Sequence, residues 1–588
     1  MTFHDPTSYA DLTQGRIKHV DFYIQVDFTS RTLDVEATYQ TEAPISGPLY
    51  LDSFKIDLAE AHVNGRRLDW EFDRSDDLLG QRLHLKGFEN DSSFTLKFKT
   101  SPEARALQWM SPSQTAGGEH PFLFSQCQAL NARSIFPCQD TPSVRFTYSA
   151  EVEVPKELTA AMAAEQAKGP EGSGMFIFNM PQPIPSYLFA IAVADLEFRE
   201  LGPRTGIYAE PKLIDAAAWE FAEIEKTIVE AEKLLGPYLW GRYDMLVLPP
   251  SFPFGGMENP RLTFLTPTAI LGTRGQVNLV THELAHAWTG NLVTNATWLD
   301  FWLNEGWTTY AEQRITEILE GKEAVDLNAV YDEKRTLEII ELVGNDSHLT
   351  RLKLTGEERN PDTMATQLAY TKGCFFLREL EYAVGRERFD PFIQKYMKNF
   401  QFQSLTTEGF LEFLNQHLPD VFDKVNVHDW IYKPGMPESW HKPHSELFDE
   451  VEKALADFER GKLPTQEQVK DWRRYQILSF LQGLPEQMSV EQCKQIEEIL
   501  ELQKRNDDHF FSYFYAICIR SGYKEIMPRV ETFFEKIGRM LYLVPVARAL
   551  LATDWAHDQA IALFARVRDS QHPVTVAGLD RLVKRAEV

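Results

Sequence analysis

The sequence predicts an α+β multidomain protein: a β-sheet N-terminal domain over residues 1–195, a mixed middle domain over 196–435, and an α-helical C-terminal domain over 436–588. Three observations predict it. Early runs alternate with period 2: Val20, Phe22, Ile24, Val26 and Phe28, then Leu33, Val35, Ala37 and Tyr39 after a turn near Thr29–Arg31, and later Phe94, Leu96 and Phe98. Such alternation marks half-buried antiparallel strands. From Asp215 to Leu235 the spacing turns helical, in a stretch rich in Ala, Glu and Lys, and two helices are expected between Val277 and Glu320, joined near Asn291–Asp300. Finally, Tyr432-Lys433-Pro434-Gly435-Met436-Pro437 breaks all periodicity and reads as a boundary. Helices follow it. One starts at Ser489 with Gln492 as its capping-box partner, and Val490, Cys493, Ile496, Ile499 and Leu500 form its apolar stripe.

The bulk properties exclude several classes. The 588 residues are 43% hydrophobic and 25% charged, a globular mixture with ample apolar surface for cores. A net charge of -26 disfavours nucleic acid and anionic membrane as partners. No stretch reaches the roughly 18 apolar residues of a membrane span. Met1-Thr2-Phe3-His4-Asp5-Pro6 lacks the basic start and apolar run of a signal peptide. Five cysteines are few and odd in number, which fits a reducing compartment. The expectation is a cytoplasmic monomer.

The chemistry begins at His282-Glu283-Leu284-Ala285-His286. Residues four apart on an α-helix share a face, about 6 Å apart along the axis. His282 and His286 can therefore meet one metal ion, while Glu283, turned by about 100°, points beside it, where a general base belongs. A catalytic zinc needs a third protein ligand and an open position. Glu305, in Leu303-Asn304-Glu305-Gly306-Trp307, follows His286 after 18 residues, room for a loop and a returning helix. Glu312 lies two turns further on the same face and can hydrogen-bond a ligand histidine from behind. One zinc ion per chain is expected. The paired glycines of Phe254-Gly255-Gly256-Met257-Glu258-Asn259-Pro260 suggest a strand end or exposed turn where backbone can approach a ligand.

These motifs, with Trp288-Thr289-Gly290-Asn291-Leu292-Val293, resemble the gluzincin zinc aminopeptidases. The Gly255-Gly256 form of the Gly-Met-Glu-Asn element, Phe124-Ser125-Gln126-Cys127-Gln128-Ala129 and Pro137-Cys138-Gln139-Asp140-Thr141-Pro142-Ser143-Val144 resemble their leukotriene A4 hydrolase / aminopeptidase B branch. The resemblance implies a thermolysin-like fold for the middle domain. It implies that Glu258 binds the free α-amino group of a peptide, with Gln128 as a neutral acceptor, that Gly255 and Gly256 present backbone to it, and that Met257 belongs to the same substrate-binding set. Tyr370, in Leu368-Ala369-Tyr370-Thr371-Lys372-Gly373, matches the catalytic tyrosine that faces the oxyanion. Arg539 matches an arginine that grips a substrate carboxylate. The second basic position of that grip falls on Leu541. Asp362 matches an acidic residue of the branch, but the tyrosine linked to leukotriene chemistry falls on Ala365.

The expected function is zinc-dependent aminopeptidase action on short peptides. Zinc on His282, His286 and Glu305 acidifies a water, Glu283 takes its proton, and Tyr370 steadies the oxyanion. A bifunctional enzyme that also opens a lipid epoxide is the main alternative, and Ala365 argues against it. A silent peptide-binding module is opposed by the intact ligand set. A zinc endopeptidase is opposed by Glu258.

Overall fold

The computed structural model describes residues 5–168, 172–275, 277–356, 359–361 and 367–586. The alternating runs become strands that share one core. Ile17–Asp27 turns Val20, Phe22, Ile24 and Val26 inward and pairs antiparallel with Thr32–Ile45, with Phe22 opposite Ala37. Asp91–Lys99 continues the sheet and buries Phe94, Leu96 and Phe98. A one-residue slip would turn each apolar row to solvent, so the alternation fixes the register. Arg145–Glu153 lies parallel on the other side of the first strand, and the sheet reaches eight strands. A separate four-stranded sheet contains Phe122–Ser125, all four residues buried. It delivers Gln126 and Gln128 to the middle part, where their amides meet Met257 and Glu258.

Strand structure continues past residue 195. Glu197–Gly202 pairs antiparallel with Thr205–Ala209, and from there Tyr243–Val247 and Leu262–Leu265 run parallel. Glu197–Gly202 is an edge strand with no fully buried residue, so it carries no alternation to read. Gly256–Met257 closes the opposite edge, antiparallel to Leu262–Leu265. The helical stretch expected from Asp215 to Leu235 is two helices, Ile214–Glu220 and Ile224–Leu235, with no glycine or proline marking the break.

The two helices expected around the metal motif are Val277–Ala285 and Trp302–Glu320. Their connection includes a short strand, Val293–Asn295, parallel to Gln403–Leu405. Trp302–Glu320 crosses Gln367–Val384 glycine on glycine: a β-carbon on Gly306 or Gly373 would lie 2.8 Å from the other's Cα. This close crossing brings Glu305 and Tyr370 together, each within three residues of a contact glycine.

Beyond Pro437 the described chain is helical, from Glu446–Glu459 to Pro573–Ala586. Ser489 caps Val490–Ile499 with the expected capping box, and Cys493, Ile496 and Leu500 are buried. One apolar core runs from Ile17 to Ile431, and a second fills the C-terminal helices. Helix Lys322–Val343 bridges the parts: its Tyr331 belongs to the second core, and its Leu327 and Val330 pack on Phe448. Among the described residues no helix is long and apolar enough to cross a membrane.

The glycine crossing yields a prediction. Gly306→Ala or Gly373→Ala forces the helices apart and destabilises the middle domain by about 1–3 kcal/mol. Thermal unfolding should begin earlier, and peptidase turnover should fall because Glu305 and Tyr370 separate. Unchanged melting and turnover in both variants contradict the close crossing.

Candidate active site

The site is assembled from the ends of four elements. The C-terminal turn of Val277–Ala285 carries His282 and Glu283, and His286 follows with its amide still bonded to the His282 carbonyl at 3.2 Å. The first turn of Trp302–Glu320 carries Glu305. Helix Gln367–Val384 places Tyr370 beside them, its ring stacked on His282 with centroids 5.8 Å apart. The edge strand Gly256–Met257 leads into Glu258.

His282 Nε2 and His286 Nε2 approach to 3.2 Å, and Glu305 Oε2 lies 3.3 Å from the first and 3.5 Å from the second. The outer nitrogens are held from behind. His282 Nδ1 meets Glu312 Oε2 at 3.1 Å, and His286 Nδ1 meets the Thr289 carbonyl and the Thr308 hydroxyl, each at 3.1 Å. An Nδ1–H donated to a carboxylate or carbonyl leaves the Nε2 lone pair free for a metal. Glu305 Oε2 is buried with no hydrogen-bond partner among the described residues. An orphaned carboxylate oxygen facing two imidazole lone pairs calls for a cation. Two imidazoles and one carboxylate are a donor set that zinc takes at catalytic sites, so the residues fit that ion.

The motif's small residues have steric reasons. A β-carbon on Gly290, whose φ is +112°, would lie 2.4 Å from Asn304 Oδ1 and 2.8 Å from His286 Nδ1. One on Gly256 would lie 2.4 Å from Glu283 Oε1, and one on Gly255 would lie 2.7 Å from Arg539 Nη2. The glycine pair therefore lets a strand pass directly over the Glu283 carboxylate. Glu258 is 3% exposed, and the Gln128 amide nitrogen stands 3.4 Å from its Oε1. A ligand oxygen or nitrogen from each of Glu258, Glu283 and His286 falls within 4.8 Å of the others. Gln128, Gly255, Gly256, Glu258, Glu283 and the His282, His286 and Glu305 set line one cleft of about 580 Å³, together with Arg539, Leu541 and Tyr542 from the C-terminal helices.

Residues 17–188 match the Peptidase M1 N-terminal domain, residues 219–430 the Peptidase family M1 domain, and residues 472–583 the leukotriene A4 hydrolase C-terminal domain. The leukotriene A-4 hydrolase of Xenopus laevis is 36% identical, across 97% of this chain and 98% of its own. The chain belongs to peptidase family M1. Leucine aminopeptidase 2 of Pyricularia oryzae is 35% identical across 98% of this chain and 97% of its own. The structure of yeast LTA4 hydrolase in complex with bestatin superposes with a TM-score of 0.91 at 30% identity, across 99% and 97% of the two chains. This chain is thus an M1 zinc aminopeptidase, a hydrolase of peptides, with three domains: β-rich, catalytic and helical.

Charge is concentrated in the M1 cleft. Burial pushes the Glu258 carboxyl well above its ordinary value, with Glu305 and Glu283 adding to the effect. Burial likewise carries Glu283 up to about 8, against the opposing pull of His282. It also pushes Glu305 up, but His286 and His282 outweigh it and hold that carboxyl below its ordinary value. The Tyr370 phenol is driven well up by burial and by Glu305 and Glu258. Crowded carboxyls of this kind are eased by cations: a metal at one end and an ammonium at the other.

Some expectations fare differently. Met257 does not line the cleft: it is 2% exposed on the opposite face of the strand from Gly256 and Glu258, its sulfur accepting from Gln126 at 3.0 Å. The Gly255–Pro260 segment, read as a strand end or exposed turn, is a strand end whose Met257, Glu258 and Asn259 are buried. Asp362 and Ala365 lie outside the described residues. Sequence reasoning missed Thr308, which holds His286, and Tyr331, Asp332 and Arg335, which line the cleft. None of these sits in a motif, and only the crossing of helices brings them in.

The Glu312 contact makes a prediction. Glu312→Gln leaves His282 less firmly oriented and less basic, so zinc affinity should fall by about 10–100-fold. Competition with a chromogenic chelator measures it. Unaltered affinity contradicts the support from behind His282.

Proposed function

We propose that this enzyme removes single residues from the free N-terminus of short peptides. One observation carries the reading: the buried Glu258 carboxylate stands in the same cleft as the His282, His286 and Glu305 set, next to Glu283. An anion fixed that close to the reacting carbonyl accepts an ammonium one residue away and leaves no room for preceding residues. Gln128 shares the amino group with Glu258. Gly255 and Gly256, with Met257 contributing backbone only, align the peptide beside the edge strand. Arg539 takes its carboxylate from the opposite end.

His282, His286 and Glu305 hold one zinc ion per chain, and Glu312 orients His282. When bound, the zinc supplies a Lewis acid and lowers the pKa of a water. Glu283 accepts the proton of the attacking water and passes it to the leaving amine. Tyr370 directs its hydroxyl at the developing oxyanion. Phe301 and Trp298 wall the cleft beside the zinc ligands. Epoxide opening is not part of the reading, because Ala365 offers a methyl where that chemistry calls for a phenol.

The domain limits proposed are 1–195, 196–435 and 436–588. Action as a monomer is part of the reading. Five buried, unpaired cysteines support the cytoplasm as its compartment.

Glu283→Gln should bind zinc like the parent yet lose about three orders of magnitude or more in turnover, as expected when a general base is removed. Metal analysis beside an aminoacyl-chromogen assay checks it. Near-normal turnover with zinc in place defeats the base assignment, and turnover that survives complete zinc removal defeats the metallopeptidase mechanism.

A further inference from the structure

Two sequence runs that the mechanism leaves unused meet at one side chain. Arg145 directly follows residues 137–144 and opens the strand Arg145–Glu153 of the eight-stranded sheet. Its guanidinium reaches residues 291 and 292 of the second run, just past the zinc-motif helix.

Arg145 Nη1 donates to the Pro183 carbonyl at 3.1 Å, on the neighbouring strand Met175–Pro185. Its Nη2 faces four acceptors: the Asn291 carbonyl at 2.9 Å, the Gln403 carbonyl at 3.2 Å, the Leu292 carbonyl at 3.4 Å and the Thr294 hydroxyl. Gln403 begins the strand that runs parallel to Val293–Asn295. One guanidinium therefore joins the N-terminal sheet, the loop after His286 and the strand beside that loop. None of these partners is a carboxylate. Burial pulls the guanidinium down to about 10, with Tyr187 opposing. Its Nε is buried with no hydrogen-bond partner among the described residues. A charge buried on carbonyls is costly, and what it gains is a fixed place for the loop.

The loop bears on the site at two points. The Thr289 carbonyl meets His286 Nδ1, but the Thr308 hydroxyl holds that nitrogen as well. Asn291 donates its side-chain amide to the Glu258 carbonyl at 2.7 Å. Arg145 thus fixes Asn291, and Asn291 fixes the backbone of Glu258. Thr294, the other side chain that Arg145 holds, donates to the Gly290 carbonyl and keeps the same turn closed. Arg145 itself is not among the residues that line the cleft. We propose that Arg145 is a positioning residue for the amino-group site: through Asn291 it sets where Glu258 stands, without touching substrate or the zinc ligands. The proposal rests on the reading of Glu258 given above.

The test measures kcat and KM with an aminoacyl chromogen, and zinc affinity with a chromogenic chelator. The proteins are the parent, R145Q, R145K, N291A and the double variant N291A/R145Q. R145Q should raise KM about tenfold, on the scale of one charge-assisted hydrogen bond. Its kcat and zinc affinity should stay within about twofold of the parent, because ground-state binding is what is lost. R145K keeps the charge without the planar fork, so its KM should fall between the two. Adding R145Q to N291A should change KM by less than about twofold, since both act along one path. If R145Q does not fold, R145K serves in its place, alone and with N291A. Unchanged KM in the Arg145 variants, equal losses of kcat and zinc affinity, or full additivity with N291A overturns the proposal and leaves Glu258 standing. A parent that cleaves N-acetylated and free peptide alike overturns the reading of Glu258 and the proposal with it.

Discussion

Two imidazole nitrogens and a carboxylate oxygen, all within 3.5 Å of one another in a buried cleft, form the constraint on which the rest of this molecule depends. Such a cluster is unfavourable without a cation, so it must be held in place by everything around it. Glu312, the Thr289 carbonyl and Thr308 fix the imidazoles from behind. The glycine-on-glycine crossing sets how far Glu305 stands from them. Below the Trp302–Glu320 helix, a further buried network of Tyr310, Arg314 and Glu381, with Asp390 paired to Arg314 at 2.8 Å, ties it to the neighbouring helices. Lys372, two residues after Tyr370, bonds the carbonyls of Thr350 and Lys433 at 2.9 and 3.1 Å, and so ties the Tyr370 helix to the linker that leads to the C-terminal domain.

The same cluster explains the polarity of the cleft. Glu258 and Glu283 add two carboxyls to a site that already holds Glu305; burial raises both, and the charge of Glu305 adds to it. A metal relieves it at one point and a substrate ammonium at another. Glu258 and Arg539 put opposite charges on the lining of one cleft, and the function proposed above sets a peptide's amino end at the first and its carboxylate at the second. A peptide is the kind of molecule that carries those two charges at its two ends.

Much of this was legible in the sequence, because it rests on local spacing. The i,i+4 histidines, the Asn-Glu-Gly element and Tyr370 in its motif come together in one cleft, and the alternating early runs pack as strands. What was not legible depends on crossings between distant elements. Thr308 acts through a helix packing that no motif announces. Arg335 reaches the cleft only because Lys322–Val343 bridges two cores. The strand Glu197–Gly202 escaped because an exposed edge leaves no periodicity. Met257 sits inside a motif of substrate-facing residues, yet strand alternation turns it inward.

The central claim is that a fixed anion beside the metal-ligand set makes this enzyme count from a free N-terminus. The most direct measurement incubates one short peptide, free and N-acetylated, with the zinc enzyme and identifies every product by mass. The account predicts stepwise loss of single N-terminal residues from the free peptide and no cleavage of the acetylated one. Equal cleavage of both, or internal cuts in either, would contradict it.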